Sequence, residues 1–287
     1  VSEDLVVGVD ARGVSVEVLL WLKGRAASSG DLRIEIVTVA ELGRVPPDAA
    51  DIEYRNAYEQ AMGDAKKRVS ADLPGVPVTA TMMWGIAADQ LVEASSRADV
   101  LVLGSDKTGV IQGWVSGTVP LRVAARSACT VVVVPRAWRA TPRRLVVAGA
   151  SLDGSDDSAL AFAAAEAART GADLLLVHAL RIPQALLAED LLSPSVQDEI
   201  REKATRRLRL VVEELESEYP GVSIGTSITT ERASLALATE SRDAVVVVVG
   251  THGRGAVSRV VLGSVGHDLL LDTSCPVAVV PAGVAKR

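Results

Sequence analysis

The chain alternates short apolar runs with longer amphipathic stretches from end to end. Leu5-Val6-Val7-Gly8-Val9-Asp10 is a β-branched run that ends in a carboxylate. It is followed by residues Val14 to Ala27, in which Val18, Leu19, Trp21, Leu22 and Ala26 recur at helical spacing before Gly30 stops the pattern. Leu32 to Val39 predicts a second strand. A polar segment with Pro46-Pro47 leads into a helix ending near Ser70, which carries Tyr54 and Tyr58 one turn apart. A strand over Val76 to Thr81, a helix over Ile86 to Ser96 and a strand over Val100 to Gly104 follow. A helix after Gly117 and a strand over Thr130 to Val134 complete the first half. Residues Pro135 to Arg144 have neither period and read as a linker.

The plan then repeats. Strands are predicted at Leu145 to Ala148, Asp173 to Leu180, Val222 to Thr229, Val245 to Val249 and Val277 to Val280. Helices are predicted at Ser158 to Arg169, Pro194 to Tyr219, Ala233 to Ser241 and after Gly263-Ser264. One offset, 146 residues, carries Gly104 onto Gly250, Gly117-Thr118 onto Gly263-Ser264, and Cys129 onto Cys275. The chain is therefore a tandem duplication, with units expected at residues 1–138 and 143–287. Strands alternating with helices at this spacing predict parallel sheets with helices on both faces.

The richest stretch is Val245 to Ser264. A valine strand runs into Gly250-Thr251-His252-Gly253-Arg254-Gly255, and Gly263-Ser264-Val265 opens the next helix. The glycines suit a sharp turn with uncovered amides, and the helix start suits an anion. This Gly-x2-Gly-x9-Gly-Ser spacing resembles the nucleotide-binding signature of the universal stress protein family. The resemblance implies two tandem Rossmann-like domains, each a five-stranded parallel sheet of order 3-2-1-4-5. It implies ATP, with or without Mg²⁺, as cofactor, held through Gly250, Gly253, Gly263 and Ser264, with Val265 next to them; Arg254 either meets a phosphate or is solvated. In that strand order a ligand sits beyond the carboxyl ends of strands 1 and 4. That places Asp10 or Asp153 beside the glycine motif of its own unit. Each aspartate either faces the nucleotide or caps the following helix. Asp153 lies two or three residues later than the pattern expects, as if Gly149 to Leu152 were a local extension.

The first unit keeps Gly104, Gly117 and Thr118 but has Lys107 where the second has Gly253. A side chain there blocks close backbone approach, pairs with phosphate, or sits solvated, so the first site is expected to be weaker or altered.

The 287 residues carry a formal net charge of −6, with 48% hydrophobic and 3% aromatic residues and no basic block. That argues against a nucleic-acid binder and for a globular protein. No apolar run is long enough to cross a bilayer, and the acidic start, Ser2-Glu3-Asp4, does not read as a signal peptide, so a cytoplasmic location is expected. Two cysteines make no disulfide framework, and His178, His252 and His267 lack metal-ligand spacing. No nucleophile elbow or Walker lysine loop is present. The expected function is a regulator that couples nucleotide occupancy to conformation or assembly, rather than a catalyst. A nucleotide-free interaction module and a slow ATP hydrolase or phosphotransferase are the alternatives. Finally, Val131 to Val134 and Val277 to Val280 would both lie at bare sheet edges in the family's strand order. They are expected to cover each other by antiparallel pairing, giving a pseudo-dimer within one chain; a further homodimer is left open.

Overall fold

The computed structural model describes residues 2–40, 50–105, 118–140, 144–180, 193–251 and 262–283. Its first unit contains β1 (Glu3–Val9), α1 (Val16–Ser28), β2 (Leu32–Ala40), α2 (Ala50–Asp72), β3 (Val78–Trp84), α3 (Ala87–Ser95), β4 (Val100–Ser105), α4 (Thr118–Arg126) and β5 (Thr130–Pro135). The second contains β6 (Leu145–Gly149), α5 (Asp157–Thr170), β7 (Asp173–Ala179), α6 (Pro194–Glu218), β8 (Ile224–Thr229), α7 (Ala233–Glu240), β9 (Val246–Gly250), α8 (Ser264–Asp272) and β10 (Val277–Val280).

The strands form one ten-stranded sheet, β3-β2-β1-β4-β5-β10-β9-β6-β7-β8. Each half has the order 3-2-1-4-5, parallel throughout. The halves meet where β5 and β10 run antiparallel, with Val277 opposite Val133, Ala278 opposite Val132 and Val279 opposite Val131. This is the ladder expected from two uncharged valine runs, and its cause is backbone hydrogen bonding that neither edge could satisfy alone. Val132 and Ala278 occupy equivalent positions in the two units and face each other, so the pseudo-two-fold axis passes between them.

The period-2 alternation of the strands divides the core. Leu5, Val7, Val132, Val134, Val146 and Val248 point to one face, where α1, α2, α5 and α6 add Val18, Leu22, Val69, Ala163 and Leu208. Val6, Leu101, Val131, Val147 and Val279 point to the other, where α3, α4, α7 and α8 add Leu91, Val123, Leu237 and Leu269. Both clusters run through both units, so the domain boundary interrupts neither core.

Within the linker, Trp138 is buried against the first cluster, and its backbone N–H donates to Pro135 O at 2.9 Å. A lone tryptophan in an aperiodic stretch gave no sign of this, because its docking face is built by distant residues. One expectation needs correction: neither helix start is capped by the aspartates proposed for that role. Ser15 caps α1, its Oγ accepting from Val18 N at 3.2 Å, and α5 begins after Asp156 rather than Asp153.

Candidate functional site

In each unit the strand order reverses between the first and fourth strands. β1 lies between β2 and β4, and β6 lies between β7 and β9. Loops leaving adjacent strands there run to opposite faces of the sheet, which opens a crevice beyond their carboxyl ends.

In the second unit one wall is the end of β9. Gly250 is its last residue and pairs with Val280. It is strand backbone, so its small size matters here more than its freedom to turn. Thr251 follows, buried, and its N–H donates to Val280 O at 3.0 Å. Its carbonyl accepts from Gly263 N at 2.9 Å, which closes the neck of the loop between them. Gly263 is the N-cap of α8, with φ −59° and no side-chain cap. The first bond within this helix runs from His267 N to Gly263 O at 3.0 Å. The amides of Ser264, Val265 and Gly266 therefore have no acceptor inside the helix. Ser264 is exposed at this terminus, and Val265 packs partly against the core. An uncapped helix start beside a strand end, with a hydroxyl on its first residue, suits the phosphates of a nucleotide. Gly253, Arg254 and His252 lie outside the described residues.

The other wall is the loop from β6 to α5, and here the sequence reading is corrected. An offset of 141, the separation of Arg25 and Glu166, carries Gly13 (φ +79°) onto Gly154 (φ +81°) and the N-cap Ser15 onto Asp156. The two loops therefore have the same length, and no extension displaces Asp153. Asp153 stands where the first unit has Arg12, and the counterpart of Asp10 is Ser151. What differs is the conformation of Leu152, which adopts φ +62°, a costly value for a side chain with a Cβ. Hydrogen bonds hold this loop. Asp153 Oδ1 accepts from Ser151 Oγ at 2.5 Å, and from Ser155 N at 3.1 Å and Oγ at 2.5 Å. Asp156 is buried and accepts from Ser151 N at 2.5 Å, and its Oδ1 lies 2.7 Å from Ser151 Oγ, whose one proton the two aspartates share. Burial pushes the Asp156 carboxyl above the usual range, although the Ser151 donors oppose the shift. His178, at the end of β7, donates from Nδ1 to Ala150 O at 2.6 Å and ties the loop to the sheet.

In the first unit, Asp10 is exposed, and its Oδ1 accepts from Arg12 N at 2.8 Å while Oδ2 pairs with the Arg12 guanidinium at 2.6 Å. Gly104 faces the start of α1, where an added Cβ would come within 3.5 Å of Val18 Cγ2 and 3.8 Å of Ser15 Oγ. The end of β4 thus lies against the start of α1. Gly117 and Lys107 lie outside the described residues, and Thr118 is the first residue of α4.

The sequence profile of the universal stress protein family matches residues 3–135 and again residues 142–281. The chain belongs to the universal stress protein family. It is a tandem member, with the duplication already visible in the strand register. The universal stress protein Rv2005c of Mycobacterium tuberculosis (strain H37Rv) is 30% identical over 289 residues, 96% of each chain. Rv1996 of the same strain is 27% identical over 305 residues, covering 96% of this chain and 94% of its own. Among solved structures, a universal stress protein from Archaeoglobus fulgidus DSM 4304 superimposes with a TM-score of 0.73 at 17% identity, over 99% of this chain and 98% of that one. That likeness extends the two-unit fold across the full length.

Sequence reasoning missed Thr251, Ser151, Asp156 and Gly266 in this tandem universal stress protein. Gly266 alone left a legible signal. A glycine inside a helix costs about 1 kcal/mol against alanine and so marks a packing need. A Cβ there would approach Leu262 Cδ1 at 3.1 Å, so its absence leaves room for the Leu262 side chain at the start of α8. Among the described residues, no helix is long and apolar enough to cross a membrane.

Proposed function

We propose that this protein is a cytoplasmic regulator that binds ATP in the crevice of its second unit and couples occupancy to conformation or assembly. The observation that carries this reading is the loop neck closed by Thr251 and Gly263, with the uncapped start of α8 beside the end of β9. Gly250, Gly253, Gly263, Ser264 and Val265 are the proposed phosphate and ribose contacts, with Arg254 beside them. Asp153, held at the crevice edge, is assigned to orienting the loop of Ser151 and Ser155 toward the nucleoside. Mg²⁺, carried in with the nucleotide, would neutralise phosphate charge and keep some of its own waters. No residue of the described crevice is assigned a catalytic role. In the first unit, Asp10, Gly104, Gly117 and Thr118 are the corresponding positions, and Lys107 is proposed to make that site weaker or different in kind.

The test is calorimetry with ATP and Mg²⁺, together with mass spectrometry of small molecules released from protein purified without heating. Gly263→Val is the informative variant. The φ of −59° is open to any residue, so valine crowds the ligand without straining the backbone. The expected result is one ATP per chain in the parent and at least ~100-fold weaker binding in the variant, from lost phosphate amides and a steric clash. No ATP binding by the intact parent chain, or equal binding by the folded variant, overturns the proposal.

A further inference from the structure

The pseudo-two-fold axis that passes between Val132 and Ala278 also passes between two charged side chains. Arg25 on α1 and Glu166 on α5 are equivalent positions under the 141-residue offset, and they are paired with each other. Both are buried, at 5% and 6% side-chain exposure. The Arg25 guanidinium also bonds Glu3 of its own unit, Nε to Oε2 at 2.9 Å. Glu166 likewise holds Arg169 of its own helix at 2.5 Å, and Arg169 reaches across to Ser28 Oγ. Ser28 and Arg169 are again equivalent positions. The inversion of charge extends one position further. Glu3 corresponds to Arg144, since Asp99 N bonds Asp4 O as Val245 N bonds Leu145 O, each at 2.8 Å.

The two faces are thus matched in shape by duplication and opposed in charge by substitution. A pair of first units would bury Arg25 against Arg25. A pair of second units would bury Glu166 against Glu166 and bring Arg169 against Arg169. We propose that Arg25 and Glu166 form a heterotypic key on the axis, which makes each unit a partner for the other unit and excludes pairing of like with like. The valine ladder between β5 and β10 has no such selectivity, because both strands are uncharged and nearly identical. It supplies adhesion, and the charge inversion supplies the choice. Burial opposes the charge on Arg25, but Glu166 and Glu3 overcome it and raise its pKa; Glu166 is lowered, against its own burial, by Arg25 and Arg169. The pair is therefore ionised where it sits.

The experiment uses the full chain with a protease site between Ala140 and Arg144, nicked, unfolded in urea, refolded by dilution and weighed by native mass spectrometry. The parent should recover pairs of unlike units in more than ~10-fold excess over like pairs, because like charges would be buried together otherwise. Arg25→Leu with Glu166→Leu should move the population toward a statistical mixture. In the intact chain, each single leucine variant should lower the melting temperature, and the double should lose clearly less than the sum of the two, since the cross-axis pair is lost only once while Glu3 and Arg169 lose their partners in either case. A double variant that still pairs only unlike units overturns the key, as does a parent that forms like pairs freely or fails to recover unlike ones. If the nicked double does not refold, the intact chains decide: a loss in the double clearly below the sum of the singles supports the key, and additive losses overturn it.

Discussion

Replacing Val133 and Val279 together with lysine attacks the junction of the two half-sheets at its centre. Both side chains lie on the same face of the β5–β10 ladder, at 2% and 0% exposure, in the cluster that α4 and α8 cover. Each loses the burial of a valine side chain, about 1.5–3 kcal/mol. Each also brings an amine into a site packed among valine, leucine, alanine and cysteine side chains. A lysine so placed enters neutral, with a pKa depressed by roughly 3–5 units, which at neutral pH costs about 4–5 kcal/mol. One such lysine approaches the ~5–15 kcal/mol that stabilises a whole domain, and two, placed diagonally across the ladder, exceed what the junction can absorb. The assay is urea denaturation with limited proteolysis, read at several pH values. The variant should lose its cooperative transition or shift it far toward zero denaturant, with early cleavage at the linker. The pH sign follows from the depressed lysine pKa. The folded protein resists proton uptake by these amines, so the deficit is largest below the folded pKa and shrinks as pH rises toward ~10.4. A variant with an unchanged urea midpoint at pH 7, or with a deficit that grows with pH, would show that the two last strands do not share a buried ladder.

The other expectations concern separate parts of the molecule. Cys129 and Cys275 are buried, and burial pushes the Cys129 thiol up to about 11 and that of Cys275 higher still, so both should resist a thiol reagent at neutral pH until the chain unfolds; prompt labelling of the native protein would contradict this. The pKa of Glu166 is lowered in the folded state by Arg25 and Arg169, so its contribution to stability is present above the ordinary glutamate value of 4.5 and is lost as pH falls below it. Glu166→Gln should accordingly be less stable than the parent at pH 7, with a gap in urea midpoint that narrows toward pH 3, and a constant gap would refute the ionic reading. All four tryptophans, Trp21, Trp84, Trp114 and Trp138, belong to the first unit. A change in their emission that tracks ATP binding in calorimetry would report coupling from the second unit across the shared core, and emission unchanged at saturation would refute that coupling. Lys107→Gly should strengthen nucleotide binding there if the lysine obstructs the backbone and weaken it if the lysine holds phosphate, as a second calorimetric site would reveal.

The sequence by itself determined the duplication, the order of elements and the parallel sheets. Valine-rich runs of four to six residues, each followed by turn residues and an amphipathic helix, admit few other folds, and their repeat at one offset left little freedom of register. It also determined the β5–β10 junction, because two bare apolar edges in one chain satisfy each other at the least cost. The glycine spacing located the crevice of the second unit, since the strand end at Gly250 and the helix start at Gly263 are local properties. Only the tertiary structure decided what surrounds them. Asp10 and Asp153 looked equivalent as carboxylates after a first strand, yet register makes Ser151 the partner of Asp10 and gives Asp153 a loop-holding role. Trp138 reads as part of the linker, and only the structure shows its side chain buried. Nothing in the sequence marks Arg25 and Glu166 as partners. Their pairing exists only after two units dock, because each meets an opposite charge 141 residues away.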